Sequence, residues 1–289
     1  MRTRELGKTG VSLPAVGLGT WQYTGGVEPL RDGVGAGARF IDTAESYGSE
    51  GIVGEAIRAV RKDIFLATKV SPRHFKYSEV ITAANQSLRR LNTDYIDLYQ
   101  LHWPNYTVSI EETMGAMEAL VESGKIRFIG VSNFMLRDLK RAQRAMTKYK
   151  IVSNQVRYNL IDRTIEQTLL KYCQNHSITV IAHSPLASGL GNILRSDPQQ
   201  VLDTVAKSRS KTAAQVALAW CLSKECVVVI PKANSVAHTM ENCGASGFDL
   251  SPEDRKILDL GVRSRRRGAV EIGLRRIARH ALQVLGRNQ

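Results

Sequence analysis

Short apolar segments alternate with longer segments of helical period along most of this chain. Eight segments rich in Val, Ile, Leu and Phe have the length of β-strands. They lie at residues 15–19, 39–42, 64–69, 95–102, 127–132, 152–155, 179–183 and 227–231. The intervening segments repeat apolar residues every three or four positions, as at Val80, Ala84 and Leu91. Eight strand–helix units predict an α/β fold, a closed (β/α)8 TIM barrel, rather than an open sheet.

Two glycine-rich segments have an interpretation in this order of elements. Residues 4–14 form two short apolar runs around Lys8-Thr9-Gly10, which predicts an N-terminal β-hairpin that closes the lower end of the barrel. Residues 33–38 match the glycine pattern of dinucleotide-binding folds, but a helical segment precedes them and a strand follows. That order is the reverse of what the motif requires, so we interpret residues 33–38 as the end of the first helix.

Composition is that of a folded globular protein, with 43% hydrophobic and 23% charged residues among 289. No segment reaches the roughly 20 apolar residues that span a bilayer, and the polar amino terminus has no apolar core of a secretion signal. We therefore expect a cytoplasmic protein without membrane insertion. Its cysteines, Cys173, Cys221, Cys226 and Cys243, show neither zinc-ligand nor disulfide spacing, and we expect free thiols and no metal.

Positive charge is concentrated at the carboxyl end of the chain. The net charge is +13, and residues 263–289 hold eight arginines and one glutamate, or +7 of that total. We therefore divide the chain into a barrel domain at 1–262 and a basic tail at 263–289, and expect no nucleic-acid partner. The tail spaces Val270, Leu274, Ile277, Ala281, Val284 and Leu285 as an amphipathic helix would. Three alternatives remain: a helix packed on the barrel, a surface for an acidic partner or lipid, and a solvated end.

Four ionisable residues follow three neighbouring predicted strands. Asp42 ends the second strand and Tyr47 lies just beyond it, while Lys69 ends the third and His102 the fourth. Each one alone would be an ordinary polar strand end. In a (β/α)8 barrel, however, functional groups lie at the carboxyl ends of the strands, so these side chains are expected to meet at one rim.

Together these residue types suit proton transfer to a carbonyl oxygen. A free tyrosine has a pKa near 10, and a neighbouring Lys69 ammonium is expected to lower the pKa of Tyr47. Asp42 would keep Lys69 charged, and neutral His102 would donate a hydrogen bond to the carbonyl. Tyr47 then acts as general acid while a cofactor supplies hydride, which predicts carbonyl reduction.

The motifs of the whole barrel resemble those of the aldo-keto reductase family. The matching stretches are VGLGTW at 16–21, IDTAESYG at 41–48, LATKV at 66–70, YIDLYQLHWP at 95–104, GKIRFIGVSNF at 124–134, SNQVRYNL at 153–160 and IAHSPLASG at 181–189. This resemblance makes residues 1–262 an oxidoreductase domain. It also implies that Asp42, Tyr47, Lys69 and His102 form the family's catalytic tetrad.

The resemblance also implies a nicotinamide cofactor site, NADPH with NADH as a possibility. Ser132, Asn133 and Gln155 correspond to residues that hold the nicotinamide carboxamide, and Gly19, Thr20 and Asp42 to those near the ribose. Ser184, Leu186 and Ser188 correspond to the stretch around the pyrophosphate. Lys232, Ser235, His238, Glu241 and Asn242 correspond to the segment at the cofactor's 2′-phosphate.

Two positions depart from the family pattern. His183 stands where the family usually has a tyrosine that stacks on the nicotinamide, and His238 replaces an arginine. Imidazole can stack, although over a smaller area. Arginine is always charged and binds phosphate with a planar fork, whereas histidine is charged only when protonated. The preference for NADPH over NADH is therefore left open.

Aromatic residues suggest where a small-molecule carbonyl substrate would bind. Trp21 and Trp103 follow the first and fourth strands, beside Tyr47 and His102, and with Tyr106 could form apolar walls; packing of the rim is the alternative. The short stretch 104–108 predicts an open pocket. The sequence assigns neither the substrate nor the oligomeric state. A rival function is an NADPH-binding sensor or scaffold barrel with little turnover, whose basic tail contacts a partner.

Overall fold

The computed structural model of the protein describes residues 1–284 and contains an antiparallel hairpin and a parallel sheet of eight strands. The hairpin pairs β1 (Thr3–Glu5) with β2 (Ser12–Pro14). The sheet contains β3 (Leu18–Gly19), β4 (Phe40–Asp42), β5 (Phe65–Val70), β6 (Ile96–Leu101), β7 (Ile126–Ser132), β8 (Ile151–Arg157), β9 (Thr179–His183) and β10 (Val227–Val229). All eight predicted strands are present, and each pairs with its neighbour along the chain.

Backbone hydrogen bonds also join the two ends of the sheet. Val16 forms a parallel bridge with Val229, and the amide of Gly17 donates to the Val229 carbonyl at 2.8 Å. The amide of Val229 in turn donates to the Ala15 carbonyl at 2.9 Å. The first predicted strand thus pairs with the eighth, and the (β/α)8 barrel is confirmed.

Twelve α-helices accompany these strands within residues 1–284. They are α1 (Glu28–Gly35), α2 (Glu50–Ile57), α3 (Tyr77–Leu91), α4 (Ile110–Glu122), α5 (Leu136–Ala145), α6 (Lys171–Asn175), α7 (Leu190–Arg195), α8 (Val201–Ser208), α9 (Ala213–Leu222), α10 (Val236–Cys243), α11 (Pro252–Gly261) and α12 (Ala269–Val284). The glycine-rich stretch from Gly33 ends α1, as its sequence context predicted. None of the helices in the described part of the chain has the length and apolar character needed to cross a membrane.

Alternation along the strands separates the barrel interior from the layer under the helices. Phe65 and Ala67 of β5 belong to an interior cluster that also contains Phe40 and Leu98. Leu6 and Leu13 of the hairpin are fully buried in the same cluster. Burial of each leucine side chain stabilises the folded protein by about 2 kcal/mol. The hairpin therefore closes the lower end of the barrel, as predicted, and leaves the opposite rim for polar groups.

The tail forms a helix that lies on the barrel rim through its polar side. Gln283 of α12 is buried; its side-chain oxygen accepts from the Tyr106 amide at 2.9 Å, and its nitrogen donates to the Pro104 carbonyl at 2.8 Å. Val270, Leu274 and Ile277 are 78%, 61% and 67% exposed. The amphipathic spacing thus identifies a helix, but its apolar stripe points away from the barrel. Leu285 lies outside the described residues.

Candidate active site at the carboxyl ends of the strands

Strand geometry turns the candidate residues towards the barrel axis. Successive side chains on a strand point to opposite faces, so Lys69 follows the interior residues Phe65 and Ala67 on β5. By the same rule Asp42 follows Phe40 on β4, and Lys69 pairs in register with Gln100 of β6. The apolar interior therefore becomes polar at the carboxyl ends of these strands.

Tyr47 reaches this rim from a short 3-10 turn after β4. The turn spans Glu45–Tyr47, and the amide of Tyr47 donates to the Ala44 carbonyl at 3.0 Å. Gly48 follows with φ of +71°, a left-handed conformation in which a side chain would be strained. This change of direction ends the turn directly after the phenol and lets α2 begin.

The four predicted residues meet in one cluster. Lys69 Nζ donates to Asp42 Oδ1 at 2.5 Å and to the Tyr47 hydroxyl at 3.4 Å. On its other side the Tyr47 hydroxyl lies 3.3 Å from Nε2 of His102. A phenol placed between an ammonium and an imidazole can exchange a proton with a substrate oxygen bound at the same point.

Two glutamines complete the environment of Asp42. Gln100 and Gln155 donate through their side-chain nitrogens to Asp42 Oδ2, at 3.0 Å and 2.7 Å. The predicted role of Gln155 was the nicotinamide carboxamide; in the structure its nitrogen is directed to Asp42. Sequence reasoning missed Gln100, although it stands two residues before His102 and so must share the inward face of β6.

Lys69 stays charged despite complete burial. Burial by itself lowers the pKa of Lys69, but the charges of Asp42 and Tyr47, with the hydrogen bonds to both, raise that pKa above its ordinary value. The Thr43 carbonyl accepts a further hydrogen bond from Lys69 Nζ at 2.8 Å. The predicted role of Asp42, to hold the ammonium, is therefore supported by geometry and charge.

For Tyr47, one part of the electrostatic prediction is wrong. Burial raises the pKa of Tyr47 above 10.0, and Asp42 adds to this rise, whereas Lys69 lowers the pKa through its charge and hydrogen bond. The net direction is upward, because burial outweighs the charge and hydrogen bond of Lys69, and Asp42 offsets part of that charge. Tyr47 is consequently protonated at neutral pH, which is the form a general acid needs.

Both histidines near the phenol are neutral. Burial lowers the pKa of His102 to about 2, with further lowering by the charge of Lys69. Burial likewise lowers the pKa of His183 to about 3. A neutral His102 can donate one hydrogen bond without bringing a second cation to the site, as the sequence predicted.

A hydrogen-bonded group connects the rim from β6 to β9. The Asn133 side-chain nitrogen donates to Ser132 Oγ and to the His102 carbonyl, both at 3.0 Å. Its oxygen lies 3.1 Å from Nε2 of His183. The Asn133 backbone has φ of +62°, which aims the amide back across the rim. The predicted residues Ser132, Asn133 and His183 are therefore brought together beside His102.

At the first strand, two predicted residues lie against β4. Thr20 is fully buried, and its amide and hydroxyl both donate to the Asp42 carbonyl, at 3.1 Å and 3.0 Å. A Cβ added to Gly19 would lie 2.5 Å from the Ile230 carbonyl oxygen. Only glycine allows this close approach of β3 to the residue after β10.

The loop after β9 has an unusual backbone. Ser184, Ala187, Ser188 and Gly189 have φ of 49°, 57°, 63° and 138°. The Asn159 side chain donates to the Ser184 carbonyl at 2.9 Å and so ties this loop to the segment after β8. Loops with left-handed residues turn backbone amides in one direction, an arrangement that suits an anion. Leu186 and Ser188 lie in this loop, as predicted.

Comparison with known proteins agrees with this geometry. The family model described as "Aldo/keto reductase family" matches residues 15–260, which covers the barrel from β3 to α11. The chain belongs to the aldo/keto reductase family. Its fold, its tetrad motifs and the family match therefore all indicate an oxidoreductase that acts on carbonyl groups.

Named members of the aldo/keto reductase family are similar over most of the chain. Methylglyoxal reductase YeaE of Escherichia coli K12 is 42% identical over 261 residues, which cover 86% of this chain and 91% of that protein. Glyoxal reductase of Bacillus subtilis is 35% identical, over 86% of this chain and 89% of its own. The crystal structure of an aldo-keto reductase from Klebsiella pneumoniae in complex with NADPH is 39% identical, with a TM-score of 0.85 over 92% of this chain and 96% of the other.

In this aldo/keto reductase, the segment after β10 leads into the N-terminus of α10. Ser235 caps that helix, because its hydroxyl accepts from the His238 amide at 3.4 Å, and it also lies 3.1 Å from His238 Nδ1. Lys232, Ser235 and His238 are exposed. Glu241 and Asn242 follow on α10, Asn242 being buried and Glu241 partly buried. A helix N-terminus preceded by a lysine, with a histidine in its first turn, suits a phosphate.

Aromatic residues of this aldo/keto reductase stand at different depths of the rim. Trp21 is 50% exposed, whereas Trp103 and Tyr106 are partly buried. The Tyr106 hydroxyl donates to Asp138 of α5 at 3.0 Å. The prediction of an open pocket over 104–108 needs correction, because the polar side of α12 covers Pro104 and Tyr106. The spacing of charged residues in the tail could have indicated that its polar side packs on the barrel, but not where it packs.

Proposed function

We propose that this protein reduces an aldehyde or ketone to an alcohol with NADPH as hydride donor. The observation that carries the proposal is the Tyr47 hydroxyl, 3.4 Å from Lys69 Nζ and 3.3 Å from His102 Nε2. This placement gives one acidic proton, one stabilising cation and one neutral hydrogen-bond partner around a single point. The protein does not need to supply a nucleophilic side chain for this reaction, because the hydride brings the electron pair that forms the new C–H bond.

Each residue of the tetrad has a distinct part. Tyr47 donates its proton to the carbonyl oxygen, and the resulting phenolate is stabilised by the Lys69 ammonium. His102, neutral throughout, orients the carbonyl by a hydrogen bond from its ring nitrogen. Asp42 holds Lys69 in place and keeps it charged. A reduced nicotinamide supplies the hydride when it is bound.

The cofactor assignments extend the same proposal. Ser132, Asn133 and Gln155 would hold the nicotinamide carboxamide, with His183 beside the ring. Gly19, Thr20 and Asp42 would lie near the ribose, and Ser184, Leu186 and Ser188 around the pyrophosphate. Lys232, Ser235, His238, Glu241 and Asn242 would bind the adenosine end. Support comes from the contacts that join Ser132, Asn133 and His183 and from the NADPH complex of the related Klebsiella enzyme.

The proposed substrate class rests on the named relatives and on the aromatic residues at the rim. Two relatives are named as reductases of methylglyoxal and of glyoxal, which are small dicarbonyl compounds. Trp21 and Trp103, with Tyr47 and His102, offer aromatic walls for a molecule of that kind. We therefore propose small aldehydes, including 2-oxoaldehydes, as substrates. A cytoplasmic location stays a prediction.

A spectrophotometric assay tests this function. Wild-type protein is expected to oxidise NADPH, followed at 340 nm, with methylglyoxal or benzaldehyde. Tyr47→Phe removes the acid and is expected to lower kcat by about 100-fold or more, while NADPH binding measured by fluorescence is unchanged. Tyr149→Phe, on an exposed loop, serves as the matched control.

Two outcomes would contradict the proposal. NADPH binding without turnover of any aldehyde in a broad panel would favour the sensor or scaffold barrel instead. Full activity of Tyr47→Phe would remove Tyr47 as the proton donor.

A further inference from the structure

A cation of the tail helix lies beside the proposed catalytic histidine. The Arg279 guanidinium of α12 stacks on the Trp103 ring, with its carbon 3.7 Å from the ring centroid. Trp103 directly follows His102 in sequence, so their α-carbons are about 3.8 Å apart. The positive charge of Arg279 also helps to lower the pKa of His102, after burial, the charge of Lys69 and the interaction with His183. Arg279 therefore contacts one residue at the proposed substrate site, Trp103, and its charge influences another, His102.

Arg279 differs from four other arginines of the tail, because it has no carboxylate partner among the described residues 1–284. Arg265, Arg266, Arg267 and Arg275 pair with acidic side chains at 2.5, 3.0, 2.9 and 3.0 Å. Within residues 1–284, no carboxylate oxygen lies within ion-pair distance of the Arg279 guanidinium. The stacked ring satisfies one face of the guanidinium and leaves its N–H edge for another group.

Asp138 is the acidic residue near Arg279, and it is already engaged. It accepts a hydrogen bond from the Tyr106 hydroxyl at 3.0 Å and lies 3.8 Å from the Arg276 guanidinium. Tyr106 and Arg276 are therefore the contacts of Asp138, and its charge acts on Arg279 without forming an ion pair. Arg279 is partly buried, and burial lowers its pKa. A partly desolvated cation without an anion is stabilised when an anionic group binds next to it.

We infer that Arg279 binds the carboxylate of an anionic carbonyl substrate and so selects for aldehydes and ketones that carry an acid group. This inference rests on the proposed function, because it presumes that the substrate carbonyl lies between Tyr47 and His102. A guanidinium offers a carboxylate two parallel hydrogen bonds, and stacking on Trp103 fixes its plane in advance. Tyr47 and His102 would then hold the carbonyl at one end of the substrate, and Arg279 would hold the carboxylate at the other end.

Paired substrates test the inference. Steady-state kinetics compare 4-carboxybenzaldehyde with benzaldehyde, and 4-oxobutanoate with butanal, for each variant with saturating NADPH. Arg279→Gln is expected to lower kcat/KM for the acids by about 10- to 100-fold, mainly through KM, because a charge-assisted hydrogen bond is lost. Turnover of the neutral aldehydes is expected to change less than about threefold. Arg279→Lys keeps the charge without the fork and is expected to fall between wild type and Arg279→Gln.

Matched controls separate binding from structure. Arg275→Gln removes an exposed, paired arginine from the same helix. For both substrate pairs, this variant is expected to leave the ratio of kcat/KM for the acid to kcat/KM for the neutral aldehyde unchanged. The ratio of acid to neutral substrate does not depend on the fraction of active protein, so partial unfolding cannot imitate the effect. Added salt is expected to reduce the acid preference of wild type and to leave that of Arg279→Gln unaltered.

Several results would overturn the inference. An equal fall for acid and neutral substrates in Arg279→Gln would show a structural role for Arg279. An unchanged ratio in that variant would show that no carboxylate binds there. If wild-type protein reduced neither kind of aldehyde, the failure would instead lie with the proposed function.

Discussion

At the scale of single residues, the proposed chemistry depends on how buried charges offset one another. Asp42 raises the pKa of Lys69 and also that of Tyr47, so the same carboxylate secures the ammonium and weakens its effect on the phenol. This balance keeps Tyr47 in its protonated form until a carbonyl oxygen binds. Residue types alone predicted the partners correctly, but not the net direction of the shift.

His238 gives a prediction about cofactor preference. His238→Arg places a permanent cation at the N-terminus of α10, where the 2′-phosphate of NADPH is proposed to bind. The ratio of kcat/KM for NADPH to that for NADH is expected to rise about tenfold. His176→Arg, at an exposed histidine beyond α6, is the control. A ratio that does not change would move the phosphate site away from His238.

At the scale of elements, strand ends deliver the site and loops complete it. Period-2 alternation on β5 and β6 carries Lys69 and Gln100 inwards. The helical period of α12 located its apolar stripe, yet Val270 and Leu274 face away from the barrel. A helical period shows which residues share a face, but the contacts of Gln283 and Arg279 decide which face meets the barrel.

One buried carboxylate fastens a loop between two elements. Glu118 of α4 accepts hydrogen bonds from the amides of Thr147, Lys148 and Tyr149 at 2.8, 2.7 and 3.1 Å. Burial would raise the pKa of Glu118, but these bonds and that from the Thr147 hydroxyl lower it to about 2. This loop connects α5 with β8, so Glu118 fixes the position from which β8 begins.

Substitution of Glu118 is expected to destabilise the protein in a pH-dependent way. Glu118→Gln should lower the unfolding free energy at pH 7 by about 2 kcal/mol, measured by urea denaturation. Because the pKa in the folded protein lies below the ordinary 4.5, the wild-type advantage is complete above that pH and is lost as pH falls towards about 2.

Glu122→Gln on the same helix is the control for this prediction. Its side chain is partly exposed and pairs with Lys148, so a change below about 0.5 kcal/mol is expected. An equal loss for both variants, or a loss for Glu118→Gln that does not diminish in acid, would contradict the role assigned to the three backbone hydrogen bonds.

At the scale of the whole molecule, a closed barrel supports a helical tail that reaches back over the rim. The tail is attached by the Arg265 backbone, whose amide donates to the Ile161 carbonyl at 2.8 Å, and by the Arg267–Asp162 pair at 2.9 Å. Gln283 provides a further anchor at the rim itself, beside the stacking of Arg279 on Trp103. Few apolar side chains take part in these contacts. The division at residue 262 therefore remains our proposal for the boundary of the folding unit.

Truncation tests this division. A chain ending at Val262 is expected to keep the far-ultraviolet circular dichroism of the barrel and to lose about 1–3 kcal/mol of unfolding free energy, since the lost contacts are polar and near the surface. A chain ending at Gly268 keeps the Arg265 and Arg267 contacts and isolates the contribution of α12. Failure of the Val262 chain to fold would show that the tail belongs to the barrel's folding unit.

The sequence by itself determined the barrel and most of the site. Eight apolar segments in alternation with helices predict the strand order, since parallel neighbours must be joined by crossover helices. Positions at strand ends placed Asp42, Lys69 and His102 at one rim, because parallel strands end at the same edge. These inferences succeed because the spacing of apolar residues and the order of segments are local properties of the sequence.

Only the tertiary structure decided the rest, because it depends on distances between segments far apart in the chain. Gln155 turns to Asp42 across 113 positions, and burial rather than Lys69 sets the direction of the Tyr47 pKa. The stacking of Arg279 on Trp103 also joins remote segments. No periodicity encodes which side of α12 meets the rim, since that choice is made by a few polar contacts after the barrel has closed.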